Sequence, residues 1–302
     1  MIAILSAALV AAQPAKPQSH AELVNLVPAF DRFHQLIAPL PEITPGAALR
    51  AHFAPKIGGF YTVERGGEDI DGRIEGALEE WPEKREVILA VADRFEAEFN
   101  PALVAFEAEF GALEGEHQVY LVHSLGEFDG AVRGLDRGPT LLFGADVIER
   151  IHGENRLAPL FVHEFFHGYH GMTWDGCNAI ACSLWSEGLA VHVVRTLFPE
   201  ASDGELLLTI PRPIPQEVDD NLPLAACSAL ALLDGTDGYR DLFSFGNAES
   251  GLPPRYGYYL GELVAREIGK NRSLAQLAAM DSATVRPLIE ATLTDIGKGC
   301  AD

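Results

Sequence analysis

The stretch His163–His170, HEFFHGYH, constrains this chain more than any other part of it. An apolar, glycine-free run from Leu157 to Phe166 leads into it, so Leu157–Tyr169 reads as a buried helix. Residues four apart stand one above the other on a helix, so His163 and His167 present imidazoles to a single point while Glu164 reaches the position beside it. A buried helix carrying two imidazoles and a carboxylate without partners loses free energy on each of them. A bound cation removes that penalty, and this spacing is the donor pattern of a hydrolytic zinc centre.

Catalytic zinc takes three protein ligands and keeps one position open. Three downstream residues are candidates for the third ligand. His170 lies on nearly the face of His167, but one helix does not easily wrap three ligands around a tetrahedral ion, so it reads as a supporting or cleft residue. Asp175, after Gly171-Met172-Thr173, would complete the site from a loop. Glu187 is preferred, because LWSEGLA opens an apolar helix running to about Leu197, stopped by Pro199, and a charge inside such a run is costly unless paired or metal-bound. The ordinary alternative is a carboxylate favoured by the dipole at a helix start.

HEFFH followed, after nineteen intervening residues, by Glu187 in LWSEGLA resembles the gluzincin metallopeptidases, whose third ligand is a glutamate on a second helix. WSEGLAVH is similar to the aminopeptidase-N-like branch, with His192 where that branch usually has tyrosine. A closer resemblance is to a bacterial family of predicted secreted zinc-dependent proteases. It is carried by VYLVHSLGEFDGAVRG, LLFGADVI, HEFFHGYH, LWSEGLA and RYGYYLG, and so covers about Val119 to Ile268.

The resemblance implies an α+β, zincin-like metallopeptidase domain, mainly helical, with a small sheet beside the active-site helix. It implies one zinc ion on His163, His167 and Glu187, with Glu164 as general base. Tyr258, three residues before Gly261, is the implied oxyanion donor, with Tyr259 and Tyr256 as alternatives. The strand Leu141, Leu142, Phe143 and Gly144 is expected to take the substrate backbone by β-addition. Gly144-Ala145-Asp146 does not match the amine-reading motif of the aminopeptidase branch, which leaves endo- or exo-action open. Arg255 is a candidate anchor for a substrate carboxylate. The expected activity is metal-assisted hydrolysis of peptide bonds in a peptide or protein substrate. The alternatives are a zinc hydrolase of a non-peptide amide or ester, or a zincin-like binding protein without turnover.

The rest of the chain sets the context. With 302 residues, 48% of them hydrophobic, it can bury a sizeable core. A net charge of −22 argues against nucleic acid and anionic membrane surfaces as partners. Residues 1–12, MIAILSAALVAA, resemble the apolar core of a secretory signal with a small-residue cleavage site at Val10-x-Ala12, though without a basic start. No run reaches the roughly eighteen apolar residues of a membrane span. A secreted or periplasmic location is expected.

Residues 13–115 read as a helical N-terminal region and 116–302 as the catalytic domain, or 20–302 as one continuous domain. Within them, residues 21–40 have a helical period, 57–76 read as surface loop, and a long amphipathic pattern from Arg85 to about Leu113 reads as two helices meeting near Asn100. HQVYLVHS and PTLLFG read as strands joined by the glycine-rich turn EFDGAVRGLDRG, Leu222–Leu233 as a helix, and RYGYYLG as the start of another ending near Gly269. Cys177 and Cys182 bracket the loop between the two ligand helices and are expected to pair, leaving Cys227 with Cys300.

Overall fold

The computed structural model describes residues 21–40, 42–113, 118–174, 176–244, 250–298 and Cys300. The expected signal segment, residues 1–12, and the candidate ligand Asp175 lie outside the described residues. Four short strands, too small a sheet to stand alone, are buried among helices, giving the mainly helical α+β class expected. The strands are β1 (Glu22–Asn25), β2 (Gln118–Val122), β3 (Gly130–Leu135) and β4 (Gly138–Gly144), in the spatial order β1-β2-β4-β3. β1 pairs with β2 and β2 with β4 in parallel, while β3 runs antiparallel to β4.

Two of these strands depart from the local sequence signal. Glu22–Asn25 reads as the first turn of a helix, but pairing with β2 draws it into the sheet, and α1 (Val27–Ile37) starts later, with proline in its first turn. GAVRGL reads as part of a turn because of its glycines, yet β4 supplies a ladder that makes it β3.

The helices α2 (Pro45–Phe53) and α3 (Val63–Gly66) lead to α4 (Ile70–Phe110). α4 corrects the expected break near Asn100: it is one helix of 41 residues with Pro82 and Pro101 inside it. An interior proline costs about 3 kcal/mol, and burial of Trp81, Ile88, Phe95, Phe99 and Phe106 on either side offsets it. The segment 57–76 is not a plain surface loop either. Phe60 and Tyr61 are buried, and the Tyr61 phenol donates to the His123 carbonyl at 2.6 Å.

α5 (Ala145–His152) and α6 (Ala158–Thr173) pack on α4, and α7 (Ile180–Leu197) packs on α6. Along α6, Phe161 and Phe165 meet Phe99 at 5.8 and 5.5 Å, and Tyr169 meets Phe110 at 5.0 Å. Glu98 of α4 also caps α6, accepting from the amides of Leu157 and Ala158 at 2.7 and 3.2 Å. The buried core runs without a break from the N-terminal helices into α6 and α7.

The C-terminal part is α8 (Ile214–Asp220), α9 (Leu222–Leu232), α10 (Tyr239–Phe243), α11 (Tyr256–Gly269), α12 (Leu274–Ala278) and α13 (Ser282–Ile296). Cys177 pairs with Cys182 and Cys227 with Cys300, as expected. No helix among the described residues is long and apolar enough to cross a membrane. Both features are compatible with an extracellular location.

Candidate metal centre

α6 carries His163 and His167 one turn apart, and their Nε2 atoms lie 3.0 Å from each other. From α7, Glu187 brings Oε2 to 3.5 Å from the first and 3.2 Å from the second. A tetrahedral ion with bonds of about 2.0–2.1 Å spaces its donors about 3.3 Å apart, so the three atoms have the separation that one such ion requires. The side chains keep 17%, 20% and 19% exposure, so the group is not sealed from solvent. Among the described residues this is the group of histidine and carboxylate ligands able to hold a metal ion.

Glu187 is the eighth residue of α7, so a helix-start dipole does not account for it. His170 is not part of the group. Its ring is buried, 5.2 Å from Phe166 and 4.7 Å from Trp174, and burial pushes its pKa down to about 4.

The electrostatics of the three groups fit a cation. Burial holds His163 below its usual pKa and therefore neutral, with a lone pair to give. Burial also opposes charge on His167, but the neighbouring Glu187 carboxylate carries that imidazole up to about 9. Glu187 itself is held well below the usual carboxylate range; burial works against its charge, and the two histidines more than compensate.

Glu164 lies beside this group, its pKa raised to about 8 chiefly by burial, with Asp129 and Glu187 adding to the effect. Asp129 is in turn held ionised against burial by His152, 3.0 Å away. The Glu164 carboxyl rests on Gly130 at the start of β3: a methyl there would fall 2.5–2.8 Å from Glu164 Cγ, Cδ and Oε1. Glycine at this point gives the carboxylate its space.

Two further glycines set the other wall. A Cβ on Gly188 of α7 would lie 2.1 Å from the carbonyl carbon of Gly261, and one on Gly261 of α11 would lie 2.4 Å from the Leu184 carbonyl oxygen. The two helices therefore cross in backbone contact, with Glu187 next to one glycine and Tyr258 almost one turn before the other. That crossing brings the Tyr258 ring to 6.4 Å from the His163 ring. Of the three candidate tyrosines, Tyr256 is buried and Tyr259 donates to Asp219 at 3.1 Å, which leaves Tyr258 facing the metal group. Burial first, then Glu187, raises the Tyr258 phenol well above its ordinary pKa, so it is a donor throughout the physiological range.

Two expectations are corrected. Leu141, Leu142, Phe143 and Gly144 lie on β4, a central strand whose two edges are taken by β2 and β3, so no further chain can add to it. The free edge beside the site is β3. The Gly144 amide donates to the Asp129 carbonyl at 3.0 Å, and this fixes the alternation of the antiparallel ladder. Asp129, Ala131, Arg133 and Leu135 bond inward to β4, while Gly130, Val132 and Gly134 turn their amides and carbonyls outward; of these the Gly130 amide donates to the Asp129 carboxylate and the Val132 carbonyl accepts from Arg133 Nη1 at 3.1 Å. Arg255, expected to hold a substrate carboxylate, instead donates to the carbonyls of Leu207 and Ile210 at 2.7 and 3.5 Å and lies over the Tyr258 ring at 4.7 Å. It braces the tyrosine.

Sequence reasoning missed several contributors. Ser186 places its hydroxyl 3.4 Å from His167 Nδ1, where it steadies the ring. Asp146 accepts from the Ser124 and Gly126 amides at 2.6 and 2.7 Å and so clamps the loop that leads to β3. The disulfide Cys177–Cys182, by contrast, is expected from the sequence; it closes the loop between the two candidate ligand helices and reaches into the first turn of α7. A cavity of about 640 Å³ lies elsewhere, by the β3–β4 turn, and none of the metal-group residues lines it. Comparison of the chain with protein-family models, with curated proteins and with solved structures returned no match.

Proposed function

We propose that this protein is a zinc-dependent peptidase of the gluzincin type. The observation that carries the reading is the convergence of His163 Nε2, His167 Nε2 and Glu187 Oε2 at tetrahedral-ion spacing, with Glu164 next to His163 on the same helix and the Tyr258 ring 6.4 Å from that of His163. Two imidazoles and one carboxylate form the mixed nitrogen and oxygen donor set that suits zinc. A zinc ion held there supplies Lewis acidity, polarising a carbonyl and making water acidic enough to act as a nucleophile near neutral pH.

The remaining steps belong to the chain's own side chains. With a cation beside it to favour the ionised form, Glu164, seated on Gly130, takes the proton of the attacking water and passes it to the leaving amine. Tyr258 donates its phenol to the developing oxyanion, a hydrogen bond typically worth about 2.7–4 kcal/mol of barrier. The outward-facing groups left on this edge, the Gly130 carbonyl, the Val132 amide and those of Gly134, offer an extended peptide a strand to pair with, beginning at Glu164. That free edge favours a peptide over a small amide or ester. The two disulfides support a location outside the reducing cytosol.

The test is Glu164→Gln, compared with wild type on a library of fluorescence-quenched peptides after zinc loading. Hydrolysis is expected to fall by roughly 10²–10⁴-fold while zinc content stays equal. Undiminished hydrolysis by the variant would refute the assignment.

A further inference from the structure

Beyond the groups already assigned, one more aromatic side chain addresses the same space. Tyr239, the first residue of α10, is 44% exposed, although the ring behind it belongs to the core. Its ring lies 5.2 Å from Phe243, Phe243 lies 5.6 Å from Tyr258, and Tyr258 lies 6.4 Å from His163. A continuous file of rings thus runs from solvent to the metal group.

The file is fixed at its middle. A methyl on Gly257 would fall 2.6 Å from the Phe243 ring and 2.9 Å from the Leu242 carbonyl, so α10 is held in close contact with the turn of α11 that carries Tyr258. The Tyr239 phenol is raised by burial and then by the charge of Glu187, which places it within electrostatic reach of the metal group despite its exposure. β3 meets the site from the Glu164 side, and α10 meets it from the Tyr258 side. An exposed ring backed by a second ring offers a flat apolar face with a polar rim, which stacks on aromatic side chains and covers long aliphatic ones.

We propose that Tyr239 is a specificity-determining residue of this cleft. Its exposed ring face packs on the side chain of the substrate residue next to the bond that is cut, and so selects peptides with an aromatic or large apolar residue at that position. This inference rests on the peptidase reading above.

The experiment uses the zinc-loaded full chain as wild type, Tyr239→Ala and Tyr239→Phe. Two quenched peptides are compared, identical except for phenylalanine or alanine at the positions flanking the cleaved bond, which mass spectrometry locates. Wild type is expected to favour the phenylalanine peptide in kcat/KM by about tenfold. In Tyr239→Ala that ratio collapses towards one, and in Tyr239→Phe it is kept. General damage to the fold lowers both rates together and preserves the ratio.

A wild-type ratio in Tyr239→Ala, or no discrimination by wild type, overturns the inference while leaving the peptidase reading standing. Loss of the ratio in Tyr239→Phe as complete as in Tyr239→Ala also overturns it, because the ring would then not be the determinant. A wild type that cuts no peptide overturns both readings.

Discussion

Gly188→Ala tests the helix crossing that joins Glu187 to Tyr258. The new methyl would stand 2.1 Å from the Gly261 carbonyl carbon, about 1.3 Å inside the 3.4 Å at which ordinary contact begins, and the obstacle is backbone. α7 and α11 must therefore part by roughly 1 Å. In an open helix interior the same change would stabilise the protein by about 0.4–1 kcal/mol. Overpacking costs about 1–3 kcal/mol, so the expected net effect is a loss of about 1–2 kcal/mol. In a chain of this size that lowers Tm by about 2–8 °C.

The displacement also moves the Tyr258 phenol relative to the metal group. A misplacement of about 1 Å is enough for a loss near 100-fold in kcat/KM. Scanning calorimetry and a fluorogenic peptide assay on the zinc-loaded protein read the two effects. Gly76→Ala on α4, where a methyl would meet nothing within 4 Å, is the control and is expected to hold or raise Tm. A Gly188→Ala protein with wild-type Tm and wild-type turnover would show that the helices do not cross in backbone contact.

Gly130→Ala separates catalysis from folding: the atoms the methyl meets first, Glu164 Cγ, Cδ and Oε1, all belong to one side chain and none to backbone, so the loss of stability should stay near the lower end of the about 1–3 kcal/mol that overpacking costs. Zinc content is expected to persist while kcat/KM falls about 100-fold, and full activity would disprove the seating of Glu164. His170 governs part of the acid limb. Its pKa is about 4 when folded and 6.5 when free, so the unfolded chain binds the proton first as pH falls. Stability is fully present above pH 6.5 and falls as the pH drops towards 4, by roughly 3 kcal/mol in total. Urea unfolding across this window should show a steeper slope in wild type than in His170→Phe, where His52, His123, His163 and His192, also held below their usual pKa, keep a residual slope, and parallel curves would contradict it.

Local signals in the sequence reach some of this architecture and not the rest. The ligand helix, the second helix with Glu187, the Cys177–Cys182 disulfide and the helix bearing Tyr258 are legible because each rests on spacing within one element or across one short loop, and Cys227–Cys300 follows as the remaining pair. β3 is not, since Gly130 and Gly134 look like turn residues until a partner strand supplies a ladder. The family resemblance therefore points to β4 as the substrate strand, although an edge is a property of strand order, which no single segment carries. Pro101 reads as a helix end on propensity, but the phenylalanines of α4 bury against α6 and hold the helix together.

Gly188, Gly261 and Gly130 look alike in sequence to any other glycine; their role lies in what each faces across the fold. Tyr239 sits far from every motif, and only the ring file connects it to the centre. Arg255 shows the reverse error, a cation beside Tyr258 that looks free until the carbonyls of Leu207 and Ile210 are found on it.

The claim on which the rest depends is that His163, His167 and Glu187 bind one zinc ion. Plasma mass spectrometry on wild type, His163→Ala and Glu187→Ala, purified identically and dialysed against trace zinc, measures it directly. Close to one zinc per wild-type chain is expected, with a sharp fall in both variants. Zinc retained in full by Glu187→Ala, or none in wild type even after zinc is added back, would contradict it.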